Sequence, residues 1–154
     1  MPEVRTYDKA ALDRTSETRL ARYREALASV TSAAELVVRL RALHAEDVAD
    51  GHVAAVQELI AGAASSPRLG PAIVERLRPW LELTEEVARR FMAGTPLEGV
   101  LPAGEVAFAV LAMYLGLQTL SQLDGDRGRA ETMLAAAGPA AALFDVLLRG
   151  GPAT

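Results

Sequence analysis

His44 and His52 are the residues whose chemistry is easiest to name, because an imidazole can ligate a metal, move a proton or hold a ligand. Their spacing argues against a metal. They stand eight positions apart across the helix-breaking pair Asp50-Gly51, whereas a helical metal site puts two histidines at i and i+4 with further ligands at fixed distance. His44 follows Leu40 by one turn on the core side of its segment, which suits a buried histidine satisfied by a neighbour or a polar contact in a ligand pocket. Gln57, Glu58 and Thr84 sit beside apolar faces, and Gln57 follows Val53 and Val56, which turns it inward. Buried polar groups need partners, and neighbouring backbone, water or a ligand would each serve. Trp80, Phe91, Met92, Phe108, Met113 and Tyr114 supply large soft side chains that suit a plain core or the lining of a pocket between helices. Glu85–Arg89 and Glu86–Arg90 read as i, i+4 surface pairs. The order of Ser, His and Asp forms no triad, and the glycines from Gly94 to Gly104 follow no strand, so they do not read as a phosphate loop. The residues point to binding rather than to an enzyme, with no catalytic residue, metal or cofactor expected.

The elements that would position these groups all read as helices. Leu20, Tyr23, Leu27 and Val30 share one face of a first helix, from near Asp8 to Val30. Ser32-Ala-Ala-Glu35 is a capping box that opens a second, which carries Leu36, Leu40 and Leu43 and fades near Asp50-Gly51. A third carries Val53, Val56 and Ile60. Ser66-Pro67 then reads as an N-cap with proline at the first helical position. It opens a long fourth helix to Ala93, along which Ile73, Leu77, Leu81, Thr84, Val87 and Phe91 mark one face and Pro79 predicts a kink. The fifth spans about Pro102 to Leu123. After the turn Asp124-Gly125-Asp126, the sixth runs to Leu148, with Gly138-Pro139 predicting a second kink. Residues 1–7 read as a disordered N-terminus, 8–149 as one domain and 150–154 as a tail.

From Val106 to Leu117 the only polar side-chain group in twelve residues is the Tyr114 hydroxyl. Such a run is shorter than the roughly 20 residues of a membrane span and reads as a helix covered on nearly all sides. A chain of 154 residues has few helices with which to cover it. A second copy is the expected cover, which predicts a homodimer through Leu117, Leu120, Met133, Phe144 and Leu147.

Composition fits a globular domain, with 51% hydrophobic and 23% charged residues. The net charge of −4, without a basic cluster, argues against direct DNA binding, which needs Lys and Arg gathered against phosphates. There is no cysteine, hence no disulfide framework. The first twenty residues are polar and charged, unlike a signal core, and no segment reads as long enough to cross a bilayer, so the expected location is cytoplasmic, away from membranes.

The order of capped helices resembles the C-terminal ligand-binding and dimerisation domain of the TetR/AcrR family of bacterial transcription regulators, over about residues 8–149. The likeness is carried by His44-Ala-Glu-Asp47 with Gly51-His52-Val-Ala-Ala-Val-Gln-Glu-Leu-Ile-Ala-Gly62, by Ser66-Pro-Arg-Leu69 and Pro79-Trp80, and by Met113-Tyr-Leu-Gly-Leu-Gln-Thr-Leu-Ser-Gln-Leu-Asp-Gly-Asp-Arg127. It implies an all-α, six-helix domain whose last two helices pair with their copies in a four-helix interface. It also implies a mainly apolar effector cavity among the second to fifth helices, lined by Trp80, Thr84, Phe108 and Tyr114 with His44 and Gln57 as polar contacts, and taking an apolar small molecule. The family also carries an N-terminal three-helix DNA reader of about 45–50 residues, and here the likeness begins almost at Met1. Two origins fit: a natural protein without a DNA reader, which a methionine at position 1 favours, or the C-terminal fragment of an ordinary repressor. A third reading is an interaction module that pairs with a full-length TetR-type regulator.

Overall fold

The computed structural model describes residues 9–63 and 65–149, so the segments 1–7 and 150–154, read above as a disordered N-terminus and a tail, lie outside the described residues. Six helices and no strand are found among the described residues, which makes the fold all-α. They are α1 (Lys9–Ala28), α2 (Ala33–Ala49), α3 (His52–Ala63), α4 (Leu69–Met92), α5 (Ala103–Asp124) and α6 (Arg127–Arg149). The broadest contacts join α4 to α5 and α2 to α6, while α3 touches α2, α4 and α5, and α1 lies on α2 and α4.

Local chemistry explains most boundaries. The Ser32 hydroxyl accepts from Glu35 N at 3.1 Å, as the capping box predicts, and Glu35 reaches back to Thr31 N at 3.4 Å. A second cap comes from far along the chain. The Asp145 carboxylate of α6 accepts from Ala33 N at 2.8 Å and Ala34 N at 3.0 Å, placing an anion on the positive end of α2 and fixing α6 to it. Gly51 (φ 77°) and Gly125 (φ 73°) make the turns between α2 and α3 and between α5 and α6, where the left-handed conformation favours glycine.

Two local expectations need correction. α4 begins at Leu69 rather than Pro67. The end of α3 continues as turns, with Ser65 N on Gly62 O and Ser66 N on Ala63 O, and Leu69 N then bonds Ser66 O, so Ser66 lies within a turn and does not cap. Pro79 and Pro139 lie inside α4 and α6, where the sequence places them. Glu85 pairs with Arg89 as expected, but Arg90 turns to the end of α1, donating to Leu27 O at 2.7 Å and Ala28 O at 3.3 Å. There a cation satisfies carbonyls that have no helical partner. That bond closes the main apolar core, where Leu27, Val30 and Phe91 pack with Tyr23, Leu36, Leu40 and Val87.

The last two helices are built the other way round. They bury small or polar side chains: Ala107, Gln118 and Ser121 on α5, and Ala130 and Ala141 on α6. Many of their large apolar residues face outward, while others, such as Leu111, Leu117 and Phe144, are half-buried. Phe108, Met113, Leu120 and Leu123 on α5, and Met133, Leu143, Val146 and Leu147 on α6, are each more than half exposed. Both helices are long and apolar enough to cross a bilayer by length and composition, with mean hydropathy 1.5 over the most apolar 18 residues of α5 and 1.4 over those of Gly128–Leu148. This corrects the expectation that no segment reaches that length: the apolar run of twelve is the middle of a helix that continues through Gln118, Thr119, Ser121 and Gln122.

Candidate functional site

Near the end of α2 stands Asp47, whose side chain is 1% exposed and is met by three groups from one face of α1. Arg19, Arg22 and Tyr23 stand at i, i+3 and i+4, the spacing that stacks side chains on one side of a helix. Arg19 donates through Nε to Oδ1 at 3.1 Å and through Nη2 to Oδ2 at 2.5 Å. Arg22 adds a bond to Oδ1 at 2.7 Å, and the Tyr23 hydroxyl donates to Oδ2 at 2.8 Å. Burial by itself would raise the Asp47 pKa, but these hydrogen bonds and the two guanidinium charges outweigh it and hold the carboxyl below its ordinary range. Burial and the neighbouring carboxylate raise the Tyr23 hydroxyl well above the usual phenol value, so it stays a donor.

Trp80 of α4 extends this network. Its ring meets Tyr23 edge-on at 4.9 Å between centroids, and the Arg19 guanidinium lies 5.2 Å from its centre. Beside them a cavity of about 280 Å³ opens between α1, α3 and α4. Ser16, Arg19 and His52 contribute polar groups to its lining, while Val56, Leu59, Ile60, Ile73, Leu77 and Trp80 contribute apolar surface. Arg76 also borders it, and Asp50 stands exposed at its margin. Burial lowers the His52 pKa and the Arg19 charge lowers it further, against the pull of Asp47 and Asp50, which favours the neutral ring.

A second buried polar line runs along α5. His44 Nδ1 and Tyr114 Oη lie 2.9 Å apart with their rings edge-to-face. One turn and a little further, the Thr119 hydroxyl contacts Gln57 Oε1 at 2.9 Å and its own Leu115 O at 2.9 Å. Gln118 Nε2 and Ser121 Oγ are buried with no hydrogen-bond partner. Burial depresses the His44 pKa and raises that of Tyr114 to about 12.

This pair predicts a pH effect. Folded His44 takes up a proton less readily than it does in the unfolded chain, so between the two pKa values the unfolded state holds more protons. Stability is therefore complete above the ordinary histidine pKa of 6.5 and falls as the pH drops through the folded value. A series of urea midpoints from pH 8 to pH 5 checks this, and in His44→Gln the part of the slope owed to His44 disappears. Tyr114→Phe, which leaves the ring nitrogen unpaired, should cost about 1–3 kcal/mol at neutral pH.

The expected site residues separate in space. His44 and Tyr114 do meet, and Gln57 is buried at 6% exposure, but all three lie along α5 rather than in the cavity. Trp80 alone among the expected lining residues borders the cavity. Thr84 donates to Trp80 O at 2.7 Å within its own helix, a local bond. Phe108 is 63% exposed and forms part of an open cleft of about 400 Å³ between α4 and α5, beside Leu81, Glu85 and Glu105. The cavity thus lies between α1, α3 and α4 rather than among the second to fifth helices, because α1 closes it with the face that carries Ser16 and Arg19. Arg19, Arg22 and Asp47 were not singled out from sequence, since charged residues along a helix are ordinarily solvated. The signal that could have found them is the alignment of Arg19, Arg22 and Tyr23 on a single face.

Among the expected interface residues, Leu120, Met133 and Leu147 lie on the exposed apolar face at 62%, 53% and 69%, while Leu117 and Phe144 are half-buried. Among the described residues no cluster of three metal-ligating side chains occurs. No family model, curated protein or solved structure matches the chain.

Proposed function

We propose that this chain is an effector-binding and dimerisation module of the TetR type, which pairs through α5 and α6 and takes a small molecule between α1, α3 and α4. The observation that carries the reading is the inverted pattern of the last two helices, with small and polar residues inward and Phe108, Met113, Leu120, Leu123, Met133, Leu143, Val146 and Leu147 outward. An apolar face this continuous is unusual on a monomer and marks an interaction surface. The two helices that carry these residues follow one another across the short turn at Gly125 and pack together, which suits a four-helix interface between copies.

The same helices have the length and hydropathy of membrane spans. Their other sides, however, carry the packing of α4 on α5 and of α2 on α6, and Asp145 of α6 caps α2. Crossing a bilayer would strip those contacts, whereas a second copy covers the outer face and leaves them in place. Binding rather than catalysis fits the buried groups, because Asp47 and His44 are engaged by Arg19, Arg22, Tyr23 and Tyr114. An occupant of the cavity would touch three helices at once and favour the packing that accommodates it.

Sedimentation equilibrium of the full chain at micromolar concentration, without detergent, tests the pairing. The expected mass is twice the 16.3 kDa of one chain. A stable monomer, or recovery only with detergent or lipid vesicles, would overturn it.

A further inference from the structure

The cavity between α1, α3 and α4 has a chemical polarity of its own. Arg19 uses Nε and Nη2 to hold Asp47, and its Nη1 makes no hydrogen bond among the described residues. The Ser16 hydroxyl, one turn earlier on α1, and the His52 ring at the start of α3 likewise make none among the described residues, and all three residues border the cavity. Every one of these groups can donate: a guanidinium only donates, a hydroxyl rotates to do so, and a neutral imidazole carries one N–H. The facing wall of Val56, Leu59, Ile60, Ile73, Leu77 and Trp80 offers no polar side chain except the Trp80 N–H. Charge is confined to Arg19, Arg76 and the exposed Asp50 at the margin, and Asp47 faces Arg19 from within the protein. The volume of about 280 Å³ stands at the small end for a ligand site.

On the reading that this cavity binds an effector, we propose that the ligand is a small monocarboxylate with a compact apolar body. Its oxygens are held by Arg19, Ser16 and His52 and its body lies against Ile73, Leu77 and Trp80. Arginine presents planar N–H pairs that match carboxylate geometry, and Trp80 behind the guanidinium fixes its plane. Neutral alcohols could satisfy one donor but not several, and an amine would bring a cation to Arg19.

The test uses the full chain and three probes of one shape: cyclohexylacetate, 2-cyclohexylethanol and 2-cyclohexylethylamine. Trp80 is the single tryptophan, so its fluorescence reports occupancy directly, with titration calorimetry as the second readout. The expected result is carboxylate binding at least tenfold tighter than the alcohol, and no detectable binding of the amine. In a Ser16→Ala, His52→Phe double variant that preference should fall at least fivefold, with circular dichroism checking that the helices are kept. Ile73→Phe, which crowds the apolar end, leaves the donors in place and keeps Trp80 as the single tryptophan, should abolish binding of carboxylate and alcohol alike. If the alcohol or amine binds as tightly as the carboxylate, the ligand class is wrong and effector binding stands. If none of the three perturbs Trp80 or releases heat at millimolar concentration, the assignment of this cavity to a carboxylate is overturned. In that case a wider thermal screen without any hit would overturn effector binding as well.

Discussion

Asp47→Ala is expected to lower the stability of the fold by about 3–5 kcal/mol, the cost typical of breaking a buried ion pair from one side. The size follows from what remains. Arg19, Arg22 and Tyr23 all donate to this one carboxylate, and its removal leaves the mostly buried Arg19 guanidinium and the Tyr23 hydroxyl without their acceptor at the α1–α2 junction, while Arg22 keeps its ion pair with Glu46 at 3.0 Å. Arg19 is also the group that lies over Trp80, so the loss reaches α4. Asp47→Asn keeps the shape but removes the charge, and an intermediate loss is expected. Chemical unfolding followed by circular dichroism measures all three proteins, and a loss below about 1 kcal/mol for the alanine variant would show the network to be a solvated surface pair. The pH dependence has a definite sign. The folded pKa of Asp47 lies below its unfolded value, so its contribution is present above the unfolded carboxyl range and is lost as the pH falls through the folded value. Wild type should therefore lose stability from about pH 4 downward, and Asp47→Ala should lose less over the same interval.

Leu120→Arg is expected to weaken self-association at least a hundredfold, about 3 kcal/mol or more. Leu120 is 62% exposed in the single chain, so the substitution costs the isolated fold little. In a four-helix interface through α5 and α6 the same position is covered, and an arginine there would be a buried charge with no partner. Val38→Arg is the control. Val38 on α2 is equally exposed, at 65%, but lies off the apolar face of α5 and α6. Sedimentation should find wild type and Val38→Arg as dimers and Leu120→Arg as a monomer with unchanged helicity. Equal association of all three proteins would place any pairing elsewhere on the surface.

The α5–α6 face and the cavity differ in how far each was legible. The apolar composition of α5 gives the expectation that other surfaces must cover it, and the residues named for the interface include Leu120, Met133 and Leu147, which are each more than half exposed in the single chain. That reading needs only the composition of a segment, because a helix with apolar residues all round has to be covered by something. The cavity needed more. Phe108 and Tyr114 have similar soft, aromatic character in sequence, yet Phe108 faces outward and Tyr114 turns to His44. α5 has almost no amphipathic stripe, so periodicity could not say which side of it faces the other helices.

By itself the sequence determined the number and order of the helices, the capping box at Ser32 and the glycine turns at Gly51 and Gly125. Each depends on residues close along the chain, where backbone geometry and a nearby side chain decide the outcome. Tertiary structure alone decided that Asp145 caps α2, that Arg90 closes α1, and that Arg19, Arg22 and Tyr23 converge on Asp47. The partners in these contacts stand 24 or more positions apart, up to 112 for Asp145. A charged side chain on a helix reads the same in sequence whether it ends in water or on a buried acceptor, and only the approach of a second helix separates the two.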